Sequence, residues 1–427
     1  MSIRSKIGAA LGIEDIRIHE LCMVAALLFL SFSIPMSYKT NVYAMVAFGT
    51  IWIVYQAISR ELFRMAYDWK MVLLPLLFLM PATGLLWTYH VDANLYIVQK
   101  VISFVAFPVG IFTIRKLLTG EVIRLVNYVF ILPVLYAGVY YVVRFYTLPD
   151  GYDKDDIHLL NSLTRYNRTY LAMHLAYAIL FLVTEVYRLW HQKRSYLVLL
   201  VAGIVIAAMG IITIASRMSL FGLIIGVGFF LFYRRNEVAA KVRVAVLAGI
   251  VVVMAAAVVL VPTLRGRVMD IVEGGWKLEH GANAKESQSG LTLRIEKWRC
   301  AVEIIGNHPF TGVSAGDTKY YLNECYRKNG FWGYHQNFNA HNQYLHYGLM
   351  VGVPGILVYL FVLFFPFRLA LRDQNVLLLL LILLIAIVSV SEALMTRQKA
   401  IMFFSLFYCL GMLPYFRTKK AQDKTQS

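Results

Sequence analysis

The chain has 427 residues, of which 59% are hydrophobic and 15% charged, with a mean hydropathy of +0.63. Soluble domains carry roughly 25% charged residues, so this composition excludes a soluble globular protein. The continuous, non-alternating apolar runs exclude a β-barrel. The net charge of +17 fits cytoplasmic loops that retain Lys and Arg, and no nucleic-acid partner is expected.

The chain opens with MSIRSKIGAALGIEDIRIHE, which reads as a polar, mixed-charge cytoplasmic leader without a small-residue cleavage site. The apolar runs that follow predict an all-α, polytopic transmembrane bundle of about 12 spans. They fall at roughly 20–36, 42–58, 71–88, 95–114, 123–145, 169–189, 196–215, 218–233, 241–262, 346–367, 375–394 and 399–416, each of a length suited to ~30 Å of hydrocarbon. The run over 196–233 is read as two spans because Ser216 and Arg217 interrupt it.

Alternate loops carry the cations: Arg60, Arg64 and Lys70; Arg115 and Lys116; Arg188, Lys193 and Arg194; Arg234, Arg235, Lys241 and Arg243; Arg368 and Arg372; and Arg417, Lys419 and Lys420. The positive-inside rule then puts both termini in the cytoplasm. Three regions follow: 1–262 with spans 1–9, a long periplasmic loop over 263–345, and 346–427 with spans 10–12 and a cytoplasmic tail.

Two segments on the opposite face exceed ordinary connectors, Tyr146–Arg168 and Thr263–Tyr344, and loops of such length are usually functional or separately folded. In the second, Leu291, Ile295, Trp298, Val302 and Ile305 recur at helical spacing. Gly306 and Pro309 stop that helix, and its other face carries Arg294 and Lys297. GANAKESQSG, just before it, reads as a flexible turn or mobile flap. Cys22 and Cys409 fall in apolar spans and Cys300 and Cys325 in the long loop, without metal-knuckle spacing. The last two would face an oxidising compartment, as a bridge or as two thiols.

Each polar candidate has a bland and a sharp reading. Arg217, between two apolar runs, is a snorkelling turn residue or an anion site, since a cation at lipid depth is retained when it pairs or lines a watery cavity. Arg294 and Trp298 are surface and core, or substrate contacts. Arg165 and Arg168 are membrane-edge anchors or further cations for an anionic ligand. Asp153, Asp155 and Asp156 are a solvated run or a divalent-ion site. His341, followed by Asn342, has His308, His335 and His346 for company, yet neither an HExxH zinc motif nor a GxSxG elbow occurs. No metal or other cofactor is expected.

His341–Asn342, nine residues, then Gly352–Val353–Pro354–Gly355 resembles the signature of the bacterial O-antigen ligase family and its polymerase relatives. Asn307–His308–Pro309–Phe310–Thr311–Gly312–Val313 is similar to that family's Asn-Pro box, with His308 inserted and Ser314 in place of the final Gly. Arg294 with Trp298 resembles the Arg…Trp helix before the box, and Ser216–Arg217 the Ser-Arg pair at the outer end of a middle span.

The resemblance implies a multi-pass protein of the bacterial inner membrane with a periplasmic active site. It implies transfer of a glycan from undecaprenyl pyrophosphate to lipid A–core by a metal-independent, inverting route. His341, Arg217 and Arg294 would be catalytic, and Arg217, Arg294, Arg168, Trp298 and Asn342 would bind substrate. Donor, acceptor and membrane lipid would be the partners. A glycan polymerase using the same donor, a protein O-oligosaccharyltransferase, and a transporter or flippase remain as alternatives.

Overall fold

A computed structural model describes residues 3–13, 16–64, 67–148, 167–190, 194–272, 290–331, 334 and 336–416. Among the described residues the secondary structure is entirely helical. Each of the twelve expected apolar stretches contains a helix. Seven helices are long and apolar enough to cross a membrane: Tyr38–Ser59, Val91–Thr113, Gly120–Thr147, Arg168–Leu189, Ser195–Ile214, Ala240–Leu260 and Val353–Arg372. Ile18–Ser33, Pro75–Gly84, Arg217–Tyr233 and Val376–Val388 are shorter apolar helices. The chain is a multi-pass membrane protein.

Two backbone events shorten helices that hydropathy alone would run on. Ala215 takes a left-handed conformation at φ 54°, which ends the Arg194–Ile214 helix and lets the next one start at Arg217. The expected span at 346–367 is broken at Gly352, with φ 73° and ψ −161°. It becomes two helices, Gln343–Val351 and Val353–Arg372. That conformation is accessible essentially only to glycine.

The chain divides into two compact units. The first holds Met1–Met71, Ala106–Ser216 and Met402–Ser427. Its centre is aromatic: Phe130, Tyr177, Phe403 and Phe407 pack ring to ring. The Gly120–Thr147 and Arg194–Ile214 helices approach closely where Gly210 meets Gly138, the small-residue contact typical of helices in lipid. Tyr177 donates to the Asn127 side chain at 2.7 Å, satisfying a buried polar pair.

The second unit holds Val72–Val105 and Arg217–Ile401. The Arg217–Tyr233 helix lies antiparallel to Val376–Val388: Gly222 faces Leu384 and Ile387, while Tyr233 donates to the Leu371 carbonyl at the far end. Arg217 is thus at the same end of this pair as the turn that follows Val388.

A candidate active site around His341, Arg294 and Glu392

The site is built on the Gly290–Asn307 helix, which a disulfide between Cys300 and Cys325 ties to Thr318–Lys328, with 5.8 Å between the Cα atoms. Behind the bridge, Ala301, Ile304, Ile305, Val313, Leu322, Tyr326 and Leu349 form one buried cluster. The helix forms where expected, but its buried face differs from the expected stripe. Val302 is exposed, whereas Glu296, Lys297 and Cys300 are buried. The bridge at Cys300 and the small Ala301 turn this face inward, so Arg294 and Lys297 lie on the side that meets the rest of the unit.

The Asn307–Val313 box and the Gly352–Gly355 motif explain each other. Val313 and Ser314 donate to the carbonyls of Leu349 and Met350, and Val353 donates back to Pro309. The two backbones touch so closely that a Cβ on Gly352 would overlap the Pro309 carbonyl, and one on Gly312 the Leu349 carbonyl. Both glycines also have positive φ. Two motifs some 40 residues apart are one clasp, and it holds the end of the Gln343–Val351 helix and the start of Val353–Arg372.

His341 is held in a left-handed conformation at φ 44°, rare for a non-glycine residue and typical of functional sites. Asn339 Oδ1 accepts from the His341 N–H at 2.9 Å. Asn342 caps the Gln343–Val351 helix, its side chain accepting from Leu345 N–H at 3.0 Å. Gln343, fully buried, spans to the turn beyond Val388. Its N–H donates to Ser389 O at 2.8 Å and its Oε1 accepts from Met395 N–H at 2.7 Å.

That turn carries Glu392, and its carboxylate joins the site. Oε2 lies 3.5 Å from His341 Nδ1, and Oε1 accepts from Arg294 Nη2 at 3.4 Å. Gln343 brackets Glu392 from both sides, so the mutual placement of His341 and Glu392 is set by the backbone. Lys297 completes the group, with Nζ 3.7 Å from the centre of the Phe338 ring, which in turn packs edge-on to His341. Burial lowers the Lys297 ammonium to about 8; Arg294 adds to this and Glu392 opposes it.

The structure therefore brings Arg294 and His341 together on one carboxylate. Arg217 sits at the matching end of a helix in the same unit. Trp298 lies one turn from Arg294, and its buried indole N–H has no hydrogen-bond partner among the described residues. Arg168 opens the Arg168–Leu189 helix of the first unit. His308 packs on Tyr321, and His346 is buried in the helix below the site. Arg165, Asp153, Asp155, Asp156, His335 and most of GANAKESQSG lie outside the described residues.

Glu392 escaped the sequence reading because it was folded into the apolar run 375–394. The signal was present: a lone carboxylate within a would-be span is retained mainly when it is paired or functional.

Residues 202–360 match the family model described as O-antigen ligase (Wzy_C). The matched stretch contains Arg217, Arg294, Trp298, His341, Asn342 and both halves of the glycine clasp, while Arg168 and Glu392 lie outside it. Members of this family are glycosyltransferase-like enzymes. Comparison with curated proteins returns no match.

Proposed function

We propose that the protein is an O-antigen ligase of the bacterial inner membrane. It transfers a glycan from undecaprenyl pyrophosphate to lipid A–core on the periplasmic face. The observation that carries this reading is the convergence of an arginine and a histidine on Glu392 within one unit, at the polar end of apolar helices.

The chemistry follows from the groups present. The acceptor hydroxyl attacks C1 of the donor sugar, and its proton passes to His341 Nε2, since imidazole alone among side chains has an ordinary pKa near neutrality. The bond from C1 to the phosphate oxygen breaks with its electron pair, leaving undecaprenyl pyrophosphate. Negative charge grows on that oxygen in the transition state. Arg294 and Arg217 stabilise it with the planar donor fork that suits phosphate. In-line attack inverts the anomeric centre. Arg168, Trp298 and Asn342 complete the proposed substrate contacts.

The test is donor affinity measured beside single-turnover rate in nanodiscs. His341→Ala keeps its affinity for undecaprenyl-linked donor but transfers roughly 10²–10⁴-fold more slowly, the usual worth of general-base catalysis. Arg294→Ala and Arg217→Ala lose both affinity and rate, and Lys restores either only in part. EDTA leaves the wild type active. Near-normal transfer by His341→Ala, or activity lost to EDTA and restored by metal, refutes this scheme. Deleting the gene distinguishes the ligase from a polymerase: without a ligase, long chains stay on the carrier lipid; without a polymerase, single units reach the core.

A further inference from the structure

The carboxylate of Glu392 is shared between the two groups that the proposed reaction uses at different moments. Its two oxygens lie 3.4 Å from Arg294 and 3.5 Å from His341. Both distances are long for a charge-assisted hydrogen bond, which settles at about 2.7–2.9 Å. Glu392 thus holds both partners, each by a long contact. Its side chain is 13% exposed, whereas Arg294 and His341 are 28% and 32% exposed. An incoming anion therefore reaches the guanidinium and the imidazole more readily than the carboxylate between them. The turn that carries Glu392 is anchored by Gln343 at Ser389 and Met395, and Ser389 Oγ is further held by Tyr359 at 2.7 Å. The backbone is thus anchored on both sides of Glu392, and a change of partner needs only rotation of its side chain.

We propose that Glu392 is a positioning residue that donor binding transfers from Arg294 to His341, so that the base is armed only when the diphosphate is in place. This rests on the ligase reading above. Before donor binds, Glu392 balances the Arg294 charge and so competes with any anion for the guanidinium. A diphosphate on Arg294 displaces it. The freed carboxylate then closes on His341 Nδ1, holds the tautomer with Nε2 unprotonated toward the acceptor, and stabilises the imidazolium formed when Nε2 takes the hydroxyl proton. Acceptor attack before the donor is seated is thereby disfavoured.

The other charges around His341 do not supply this coupling. Lys297, from the same helix as Arg294, is a cation whose ammonium lies on Phe338. His346, on the helix that follows His341, is buried and feels Lys100, His341 and Lys319. Among these groups only Glu392 bears negative charge.

The experiment is Glu392→Gln in the full-length protein in nanodiscs, with undecaprenyl pyrophosphate for binding and glycan-bearing donor plus lipid A–core for transfer. Removing the competing charge tightens undecaprenyl pyrophosphate binding by about tenfold, the effect of a ~1.4 kcal/mol change. The transfer rate falls by roughly 10²-fold, the lower end of what general-base catalysis is worth. The acid limb of the rate profile moves to lower pH, because an anion beside His341 has been removed. A merely structural glutamate would weaken binding along with rate and leave the limb in place. Should Glu392→Gln not fold, Glu392→Ala carries the same test, since it too removes the negative charge. Weaker binding in the folded variant, or an unmoved acid limb, overturns the proposal. A wild type that neither binds undecaprenyl pyrophosphate nor transfers glycan overturns the ligase reading instead.

Discussion

Lys297 shows what the site costs the fold. In a lysine only 5% exposed the ammonium is held at about 8 by burial, whereas in the unfolded chain it keeps its proton to about 10.4. Between those values the unfolded state binds more protons than the folded one, so stability rises with pH through this window; below it the cost of the buried charge is felt in full. Lys297→Met removes that cost, a gain of about 3 kcal/mol at pH 7 that shrinks as pH climbs past about 8. Thermal unfolding in detergent at pH 7 and pH 9.5 checks this; equal gains at both would show that Lys297 does not titrate in that range. From the sequence, Arg294 and Lys297 read as one polar helix face. That they lie inward could not be read there, because the turning of the helix is set by Cys300 and its partner 25 residues on.

Among the elements, the glycine clasp between the Asn307–Val313 box and Gly352 is the least forgiving. Gly352→Ala places a Cβ against the Pro309 carbonyl in a backbone conformation that L-residues avoid. Strain of this kind costs about 1–3 kcal/mol before any overlap is counted, so folded yield and melting temperature both fall. Gly249→Ala is the control: nothing lies within 4 Å of its Cβ position and it sits inside the Ala240–Leu260 helix, where Ala is favoured by ~1 kcal/mol. If the two variants melt alike, the clasp carries no strain. Both motifs were visible as residue strings. Their mutual contact was not, since spacing along a chain does not reveal which backbone carbonyls will meet.

At the scale of the molecule, hydropathy located every described helix that covers an expected span but overstated their uniformity. Left-handed residues such as Ala215 and Gly352 cut helices short, and a window average over apolar side chains cannot register a single φ angle. Orientation rests on the alternation of cationic loops. Reporter fusions truncated after Arg372 read cytoplasmic and those after Asn329 read periplasmic; the same compartment for both sinks the topology. The Cys300–Cys325 bridge points the same way, since such bonds persist in oxidising compartments. It also sets a schedule for biogenesis. On the proposed topology, the arginine-bearing helix receives its final tie only after both thiols reach the oxidising side, so a newly inserted chain is incomplete on the reducing side and matures on the face where the proposed reaction takes place.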